Sequence, residues 1–149
     1  MADVQEKGRV HRAEVQMRFA DTDALGHVNN TSFVLYAETG RIEFLRSLGE
    51  AARSLILAHL SLDFRRQVVF GERIVVETWV EGVGTTSVTM RQVVLANGAL
   101  ACEVRSVVVF FDYGAQRPRP WTPELREALE ARIPEHVPEG RGAQPVPGR

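Results

Sequence analysis

The sequence predicts an α+β fold in which one strand and a long helix precede an antiparallel sheet. Apolar and polar residues alternate from His11 to Phe19, which is the period of a strand with one buried face. Between residues 30 and 48, apolar residues recur at intervals of three and four, the spacing of an amphipathic helix. Segments rich in β-branched residues then follow one another with turn residues between them, which indicates antiparallel hairpins.

The predicted helix begins near Asn29 or Asn30, because short polar side chains bond to the free backbone N–H groups of a first helical turn. Its apolar stripe comprises Phe33, Ala37, Gly40, Phe44 and Leu48. Arg41 falls on a less apolar face, and Gly49 is a typical C-terminal stop. A glycine inside a helix costs about 1 kcal/mol relative to alanine. Gly40 therefore predicts that another backbone, expected to be that of a sheet, passes close to the helix.

Four further strands are predicted after the helix as an antiparallel meander: about His59 to Val69, Arg73 to Glu81, Ser87 to Leu95, and one ending near Phe111. Residues 50–58 are compatible with a short helix or a loop. Asn97-Gly98 is the clearest hairpin signal, since a type I′ turn needs positive φ at both central residues. Folding about this turn places Leu95 opposite Leu100. It also places Val93 opposite Cys102.

The C-terminal third is predicted to end the domain with a short helix and a tail. The last strand is apolar at successive positions 107–111, which implies that both faces are covered or that it meets another subunit. Thr122 and Pro123 predict a helix that ends near Arg132, because a hydroxyl caps the first turn and proline suits its first position. The domain is expected to span residues 10–132. The segment 133–149 is rich in proline and glycine and is predicted to be flexible.

Composition and charge indicate a single globular domain. The chain has 149 residues, 44% of them hydrophobic, which is enough for a proper core. A net charge of −1 gives no reason to expect nucleic acid, whose binding domains usually carry a basic excess. The single cysteine, Cys102, excludes an internal disulfide and is predicted to be a packed thiol. With neither a signal peptide nor a bilayer-spanning apolar run, we expect a cytoplasmic protein without membrane insertion.

The polar turn before the helix is where the sequence predicts chemistry. A carboxylate such as Asp23 can act as a nucleophile or a base, and the free N–H groups of a helix N-terminus stabilise negative charge on an oxygen. Asp21 is expected to be a turn and capping residue. Asp21, Asp23 and His27 are also residue types that bind magnesium, manganese or zinc. Ala20 and Ala24 beside the acids nevertheless fit a metal-dependent phosphohydrolase poorly.

Residues of the turn and helix resemble the opening motif of the hotdog-fold acyl-CoA thioesterases, in particular the 4-hydroxybenzoyl-CoA thioesterase-like group: Asp21-Thr22-Asp23, Gly26-His27-Val28-Asn29-Asn30, Phe33, Tyr36, Glu38 and Arg41. The resemblance implies a hotdog fold, with a five-stranded antiparallel sheet wrapped around one long central helix and a short C-terminal helix beyond it. It also implies hydrolysis of an acyl-CoA thioester without a metal or cofactor. The expected assembly is a homo-oligomer, a dimer or a dimer of dimers, with active sites at subunit interfaces.

The same resemblance assigns roles to residues of the turn. It makes Asp23 the catalytic carboxylate, as nucleophile or general base, and the backbone N–H of Asn30 the donor that polarises the thioester carbonyl. His27 and Asn29 are expected to orient water, cap the helix or bond the substrate. Members that act on aromatic acyl groups carry a bulkier segment with tryptophan and tyrosine after the glycine. The segment here is His27-Val28-Asn29-Asn30, which favours an aliphatic or fatty acyl group.

Four residues are candidates for substrate binding. Arg65 and Arg66 are available to the phosphates of coenzyme A, which bind guanidinium groups well. Tyr36 and Glu38 lie on the helix; Glu38 is also a reserve catalytic acid and a potential ion-pair partner of Arg41. The alternative function is that of a non-catalytic hotdog module that binds acyl-CoA.

Overall fold

The computed structural model describes residues 8–49 and 54–137, in which one long helix lies across an antiparallel sheet. The elements in chain order are β1 (His11–Val15), a 3₁₀ helix (Phe19–Asp21), α1 (Asn30–Arg46), β2 (Leu55–Phe64), β3 (Ile74–Val83), β4 (Ser87–Ala96), β5 (Ala99–Asp112), β6 (Arg117–Pro118) and α2 (Pro123–Glu130). The predicted fold class, with five main antiparallel strands, one long helix and a short C-terminal helix, is confirmed.

The strand order β1-β3-β4-β5-β2 differs from the predicted meander. Only β3, β4 and β5 follow one another as neighbours, whereas β2 pairs with β5 at the far edge of the sheet. The reason is that α1 crosses the sheet face, over β1, β3 and β4, and delivers the chain to the edge opposite β1. Residues 50–53, part of the ambiguous segment, lie outside the described residues, and β2 begins at Leu55.

The first strand is shorter than predicted, because it ends at Val15 rather than Phe19. The backbone N–H of Arg18 donates to the Asp21 carboxylate at 2.8 Å, and the N–H of Asp21 donates to the carbonyl of Arg18 at 3.0 Å. These bonds close a 3₁₀ turn that lifts Phe19 out of the alternating pattern, leaving its side chain 77% exposed. Alternation predicted the strand correctly but not its end.

The hairpin at Asn97-Gly98 has positive φ at both residues, as predicted, with values of 49° and 80°. Leu95 pairs with Leu100, which confirms that part of the register. The predicted pairing of Val93 with Cys102 is wrong, because a β-bulge between Val94 and Leu95 shifts the ladder by one residue. Cys102 pairs instead with Val94, and its thiol is buried as expected.

The helix α1 buries the predicted apolar stripe through Phe33, Ala37, Gly40 and Phe44. A Cβ on Gly40 would lie 2.5 Å from Cγ1 of Val76, so the close approach is made by a side chain of β3 rather than by its backbone.

Arg41 was predicted on a less apolar face but is only 7% exposed. It follows Ala37 by one turn and precedes Phe44 by three residues, so its stem shares their buried side. Burial lowers the pKa of Arg41, and the charge of Glu38 opposes that shift. No ion pair joins the two side chains within the described residues.

The core has two parts on the helix side of the sheet. One lies near the start of α1 and contains Phe33 and Ala37, whereas the other contains Phe44 and the residues of α2 that face the sheet. Thr122 caps α2 as predicted by accepting a bond from the N–H of Leu125 at 3.2 Å. The helix ends at Glu130. Residues 133–137 form neither helix nor strand, and the rest of the predicted tail, 138–149, lies outside the described residues.

Candidate active site

The turn before α1 is closed by hydrogen bonds around Asp23. The N–H of Asp23 donates to the carbonyl of His27 at 2.7 Å, and Gly26, with φ of +83°, donates to the carbonyl of Asp23 at 3.1 Å. The Asp23 Oδ1 atom accepts from the N–H groups of Leu25 and His27 at 2.9 and 3.2 Å. Its Oδ2 atom accepts no hydrogen bond from the described residues. The carboxylate is thus oriented through one oxygen while the other stays available.

Asp21 has a structural role beneath this turn. Its buried carboxylate accepts from the Tyr36 hydroxyl at 2.9 Å, from the Arg18 N–H at 2.8 Å and from the Arg18 guanidinium at 3.0 Å. Burial acts to raise the pKa of Asp21, but these bonds outweigh it and hold the pKa below its usual value. Burial and the bond to Asp21 together raise the pKa of Tyr36. Both oxygens of Asp21 are engaged, as expected for a turn residue.

The start of α1 is capped so that one donor stays free. The Asn29 Oδ1 atom accepts from the N–H and the hydroxyl of Thr31 at 3.0 and 2.9 Å. The carbonyl of Asp21 accepts from the Asn29 N–H and from the Ser32 hydroxyl. The backbone N–H of Asn30 finds no acceptor in the part of the chain that the structure describes. A free N–H at a helix N-terminus, where the helix dipole is positive, suits an oxygen that gains negative charge.

A second wall faces this turn and comes from the segment after β2. The N–H of Val28 donates to the carbonyl of Val68 at 2.7 Å, and a β-bridge joins His27 to Val69. The N–H groups of both Arg65 and Arg66 donate to one carbonyl on β5, that of Ala101. These bonds hold two distant parts of the sequence on opposite sides of one opening.

Between the two walls lies a cavity of about 630 Å³, lined by Asp23, Leu25, His27, Val28, Asn30, Phe33, Phe64, Arg65, Arg66 and Gln67. It brings together five of the candidate residues from the sequence: Asp23, His27, Asn30, Arg65 and Arg66. The other three lie elsewhere: Asn29 caps the helix, Tyr36 is buried against Asp21, and Glu38 is exposed on α1.

Both arginines of the cavity are paired within the chain. Arg65 bonds to Glu103 at 2.7 Å, and its side chain is only 13% exposed. Arg66 bonds to Glu72 and to the carbonyl of Ala96, each at 2.7 Å. Their positive charge at the cavity is therefore partly neutralised by neighbouring carboxylates.

Sequence reasoning missed Phe64 and Gln67 in the wall and Arg18 beneath the turn. Phe64 meets Phe33 edge to face with ring centroids 5.7 Å apart. It ends the alternating series of β2 directly before the arginine pair, which was the available signal. The signal for Arg18 was its spacing of three residues from Asp21.

The donors of a metal site do not gather in this region. Both carboxylate oxygens of Asp21 accept bonds from Arg18 and Tyr36. Across the residues that the structure describes, no three His, Cys, Asp or Glu side chains cluster as a metal site requires.

Residues 17–129 match the thioesterase-like superfamily. The chain belongs to this superfamily. It is 30% identical over 114 residues to a chloroplastic acyl-acyl carrier protein thioesterase of Arabidopsis thaliana, an alignment that covers 70% of this chain and 61% of the relative. This member of the thioesterase-like superfamily thus spans about three fifths of that relative's length. No helix in residues 8–49 or 54–137 is long and apolar enough to cross a membrane.

Solved structures of thioesterases share the fold of this thioesterase-like chain. A thioesterase of Thermus thermophilus, solved with coenzyme A and Zn, has a TM-score of 0.74 and 32% identity, covering 79% of this chain and 95% of that one. A predicted thioesterase of Bacillus stearothermophilus has a TM-score of 0.77 and 27% identity, covering 83% and 96%. The structural similarity therefore spans about four fifths of the chain in both comparisons.

Proposed function

We propose that this protein hydrolyses the thioester bond of an aliphatic acyl-CoA to a free acid and coenzyme A. The observation that carries the proposal is that Asp23 and Asn30 line one cavity, and that the N–H of Asn30 has no acceptor among the described residues. One is a carboxylate with an available oxygen, and the other is a donor for a carbonyl oxygen. Membership of the thioesterase-like superfamily and the acyl-thioester activities named for its relatives support the same reaction.

In the proposed reaction the thioester carbonyl accepts a hydrogen bond from the N–H of Asn30 at the start of α1. This donor stabilises the oxygen as it becomes negative, a contribution of about 3–4 kcal/mol for one donor in comparable enzymes. Asp23 then attacks the carbonyl carbon through Oδ2, giving a mixed anhydride that water opens, or it takes a proton from an attacking water. Both routes consume one water, break the carbon–sulfur bond and release the thiol of coenzyme A.

The remaining candidates have supporting roles in this proposal. His27 lines the cavity and is proposed to orient water, while Asn29 holds the first turn of α1 by capping it. Arg65 and Arg66 are proposed to bind the coenzyme A phosphates at the rim. Tyr36 is proposed to act through Asp21, and Glu38 remains a reserve acid outside the cavity.

We further propose a cytoplasmic homo-oligomer, a dimer or a dimer of dimers. Edge strand β2 supports this proposal, because it presents the apolar side chains of Leu57 and Phe64 at 41% and 39% exposure. The molar mass of the purified protein in solution tests this part.

The substitution Asp23→Asn tests the proposed catalytic role. It keeps the shape of the side chain and an acceptor for the N–H groups of Leu25 and His27, and removes only the charge. We expect kcat to fall by about 10²–10⁴-fold, the usual contribution of a positioned base, with folding and acyl-CoA binding retained. Thiol release measured over short, long, branched and aromatic acyl-CoAs gives the rates.

The matched control is Asp112→Asn. Asp112 also accepts two backbone N–H bonds, from Gly114 and Ala115, but does not line the cavity. Turnover near the wild-type rate in Asp23→Asn would contradict the assignment. Wild-type protein that binds acyl-CoA tightly without releasing thiol would favour the non-catalytic module. Release of thiol only from acyl-acyl carrier protein would show that the substrate is carried by that protein and not by coenzyme A.

Turnover in heavy-oxygen water distinguishes the two routes. A mixed anhydride opened at the aspartyl carbonyl leaves label in Asp23, which mass spectrometry of the peptide detects. A general base leaves the label only in the released acid, as does an anhydride that water opens at the acyl carbonyl, so label in Asp23 is the outcome that identifies the anhydride.

A further inference from the structure

We propose that Phe64, packed against Phe33, limits the length of the acyl group, so that acyl groups of a few carbons are hydrolysed faster than long fatty chains. This inference rests on the proposed function and names its substrate class. It starts from the two aromatic rings that line the cavity beside Asn30.

The depth of the cavity follows from the helix. In the proposed reaction the thioester carbonyl lies beside the N–H of Asn30, to which it is hydrogen-bonded. Phe33 lies three residues further along α1. Side chains of a helix lean towards its N-terminus, so the ring of Phe33 lies over the first turn of α1, close to the proposed carbonyl site. Phe33 is 3% exposed, and Phe64 closes over it edge to face at 5.7 Å. An acyl chain that runs along α1 therefore meets the ring pair after a few carbons.

The backbone that carries Phe64 is fixed, so the ring pair forms a wall and not a lid. The next two residues, Arg65 and Arg66, donate to the carbonyl of Ala101 at 2.8 and 3.2 Å. Arg65 is also tied to Glu103 on β5 at 2.7 Å. Phe33 is held by the packed core beneath α1. A long acyl chain would have to displace one of these rings.

Beyond Phe64, the inner face of β2 continues as an apolar strip. Leu62 and Leu60 alternate with outward residues on the same face as Phe64, and both are partly buried against the core. The helix α1 packs mainly over β1, β3 and β4, so it covers this strip less closely. Removing the Phe64 ring would therefore open the cavity towards Leu62, the next residue on this face of β2.

The test compares kcat/KM over acetyl-, butyryl-, hexanoyl-, decanoyl- and palmitoyl-CoA. We expect the wild type to favour the short members. Phe64→Ala should raise kcat/KM for decanoyl-CoA relative to butyryl-CoA by about tenfold or more, the discrimination that even one methylene produces in an apolar pocket. Phe64→Leu should shift the profile part of the way, and Phe64→Trp should shift it towards acetyl-CoA. These two variants keep the test valid if the alanine variant folds poorly.

Phe70→Ala is the control, because Phe70 is 54% exposed and does not line this cavity. An unchanged chain-length profile in the folded Phe64 variants would overturn the inference, as would a wild type that is fastest on palmitoyl-CoA. Binding affinities for the same acyl-CoA series, measured by calorimetry, test the length limit independently of turnover. If the protein bound the series in a length-dependent way but released no thiol, the proposed hydrolysis would be refuted and the length limit would stand.

Discussion

Replacing Tyr36 with phenylalanine removes one hydroxyl from beneath the proposed active site. That hydroxyl donates to Oδ2 of Asp21 at 2.9 Å, and the carboxylate is 3% exposed. A hydrogen bond to a buried charged group contributes about 1.5–3 kcal/mol to stability, because water cannot replace the lost donor. We expect the unfolding free energy at neutral pH to fall by about this amount, which corresponds to about 2–4 °C in Tm for each kcal/mol in a chain of this size.

The loss of unfolding free energy in Tyr36→Phe is expected to depend on pH. The pKa of Asp21 is held below its usual value, so the stabilisation is complete above the unfolded pKa, about 3.9, and is lost as the pH falls through the folded pKa. Tyr36 is one of the donors that keep this pKa low. The stability difference between wild type and Tyr36→Phe should therefore be largest at neutral pH and shrink below about pH 4.

Urea unfolding followed by circular dichroism measures the effect, with Tyr113→Phe as the control. Tyr113 is the chain's other tyrosine, and it is 54% exposed. Tyr36→Phe should also lower kcat more than it raises KM. The reason is that Asp21, whose carboxylate Tyr36 holds, accepts bonds from Asn29 and Ser32 at the start of α1 through its carbonyl. If Tyr36→Phe is as stable as wild type at neutral pH, or loses no more than Tyr113→Phe, the buried network does not have the role described.

Two further predictions concern the core. Gly40→Ala should lower the unfolding free energy by about 2 kcal/mol, because its Cβ would lie 2.5 Å from Cγ1 of Val76, which puts the overpacking at the upper end of the usual cost of about 1–3 kcal/mol, whereas the gain in helix propensity is only about 1 kcal/mol. Gly82→Ala, whose Cβ would meet no atom within 4 Å, is the control, and equal urea midpoints for the two variants would contradict the prediction. Cys102 should not react with an aromatic disulfide reagent in the native protein, since it is fully buried and burial raises its pKa to about 12. Reaction at the rate of a free thiol before unfolding would show that the strand opens readily.

The features that sequence predicted well are those set by a few adjacent residues. Asn29 caps α1, Thr122 caps α2, and Asn97-Gly98 turns with positive φ, each for a reason contained within one turn of chain. Gly40 was a local signal of a distant contact, and Val76 supplies that contact. Here the local preference and the final fold agree.

The features that sequence did not predict depend on distant partners. Whether β2 pairs with β3 or β5 is decided by the path of α1 across the sheet. The residues of β2 do not indicate that path. The bulge before Leu95 moves the register by one residue without changing the alternation that predicted the strand. Likewise, Asp23 and Asn30 followed from one continuous motif, whereas Phe64 reaches the cavity only because β2 and the residues after it are fastened to β5.

The bonds between the turn and the segment after β2 set a limit on how the chain length can vary. Val28 and His27 are joined to Val68 and Val69, so an insertion or deletion at residues 65–69 would move both walls of the cavity together. The turn at residues 113–116 has no such attachment to the cavity. Variation in length among relatives, and loops grafted by engineering, should be accommodated at that turn and excluded beside Val68.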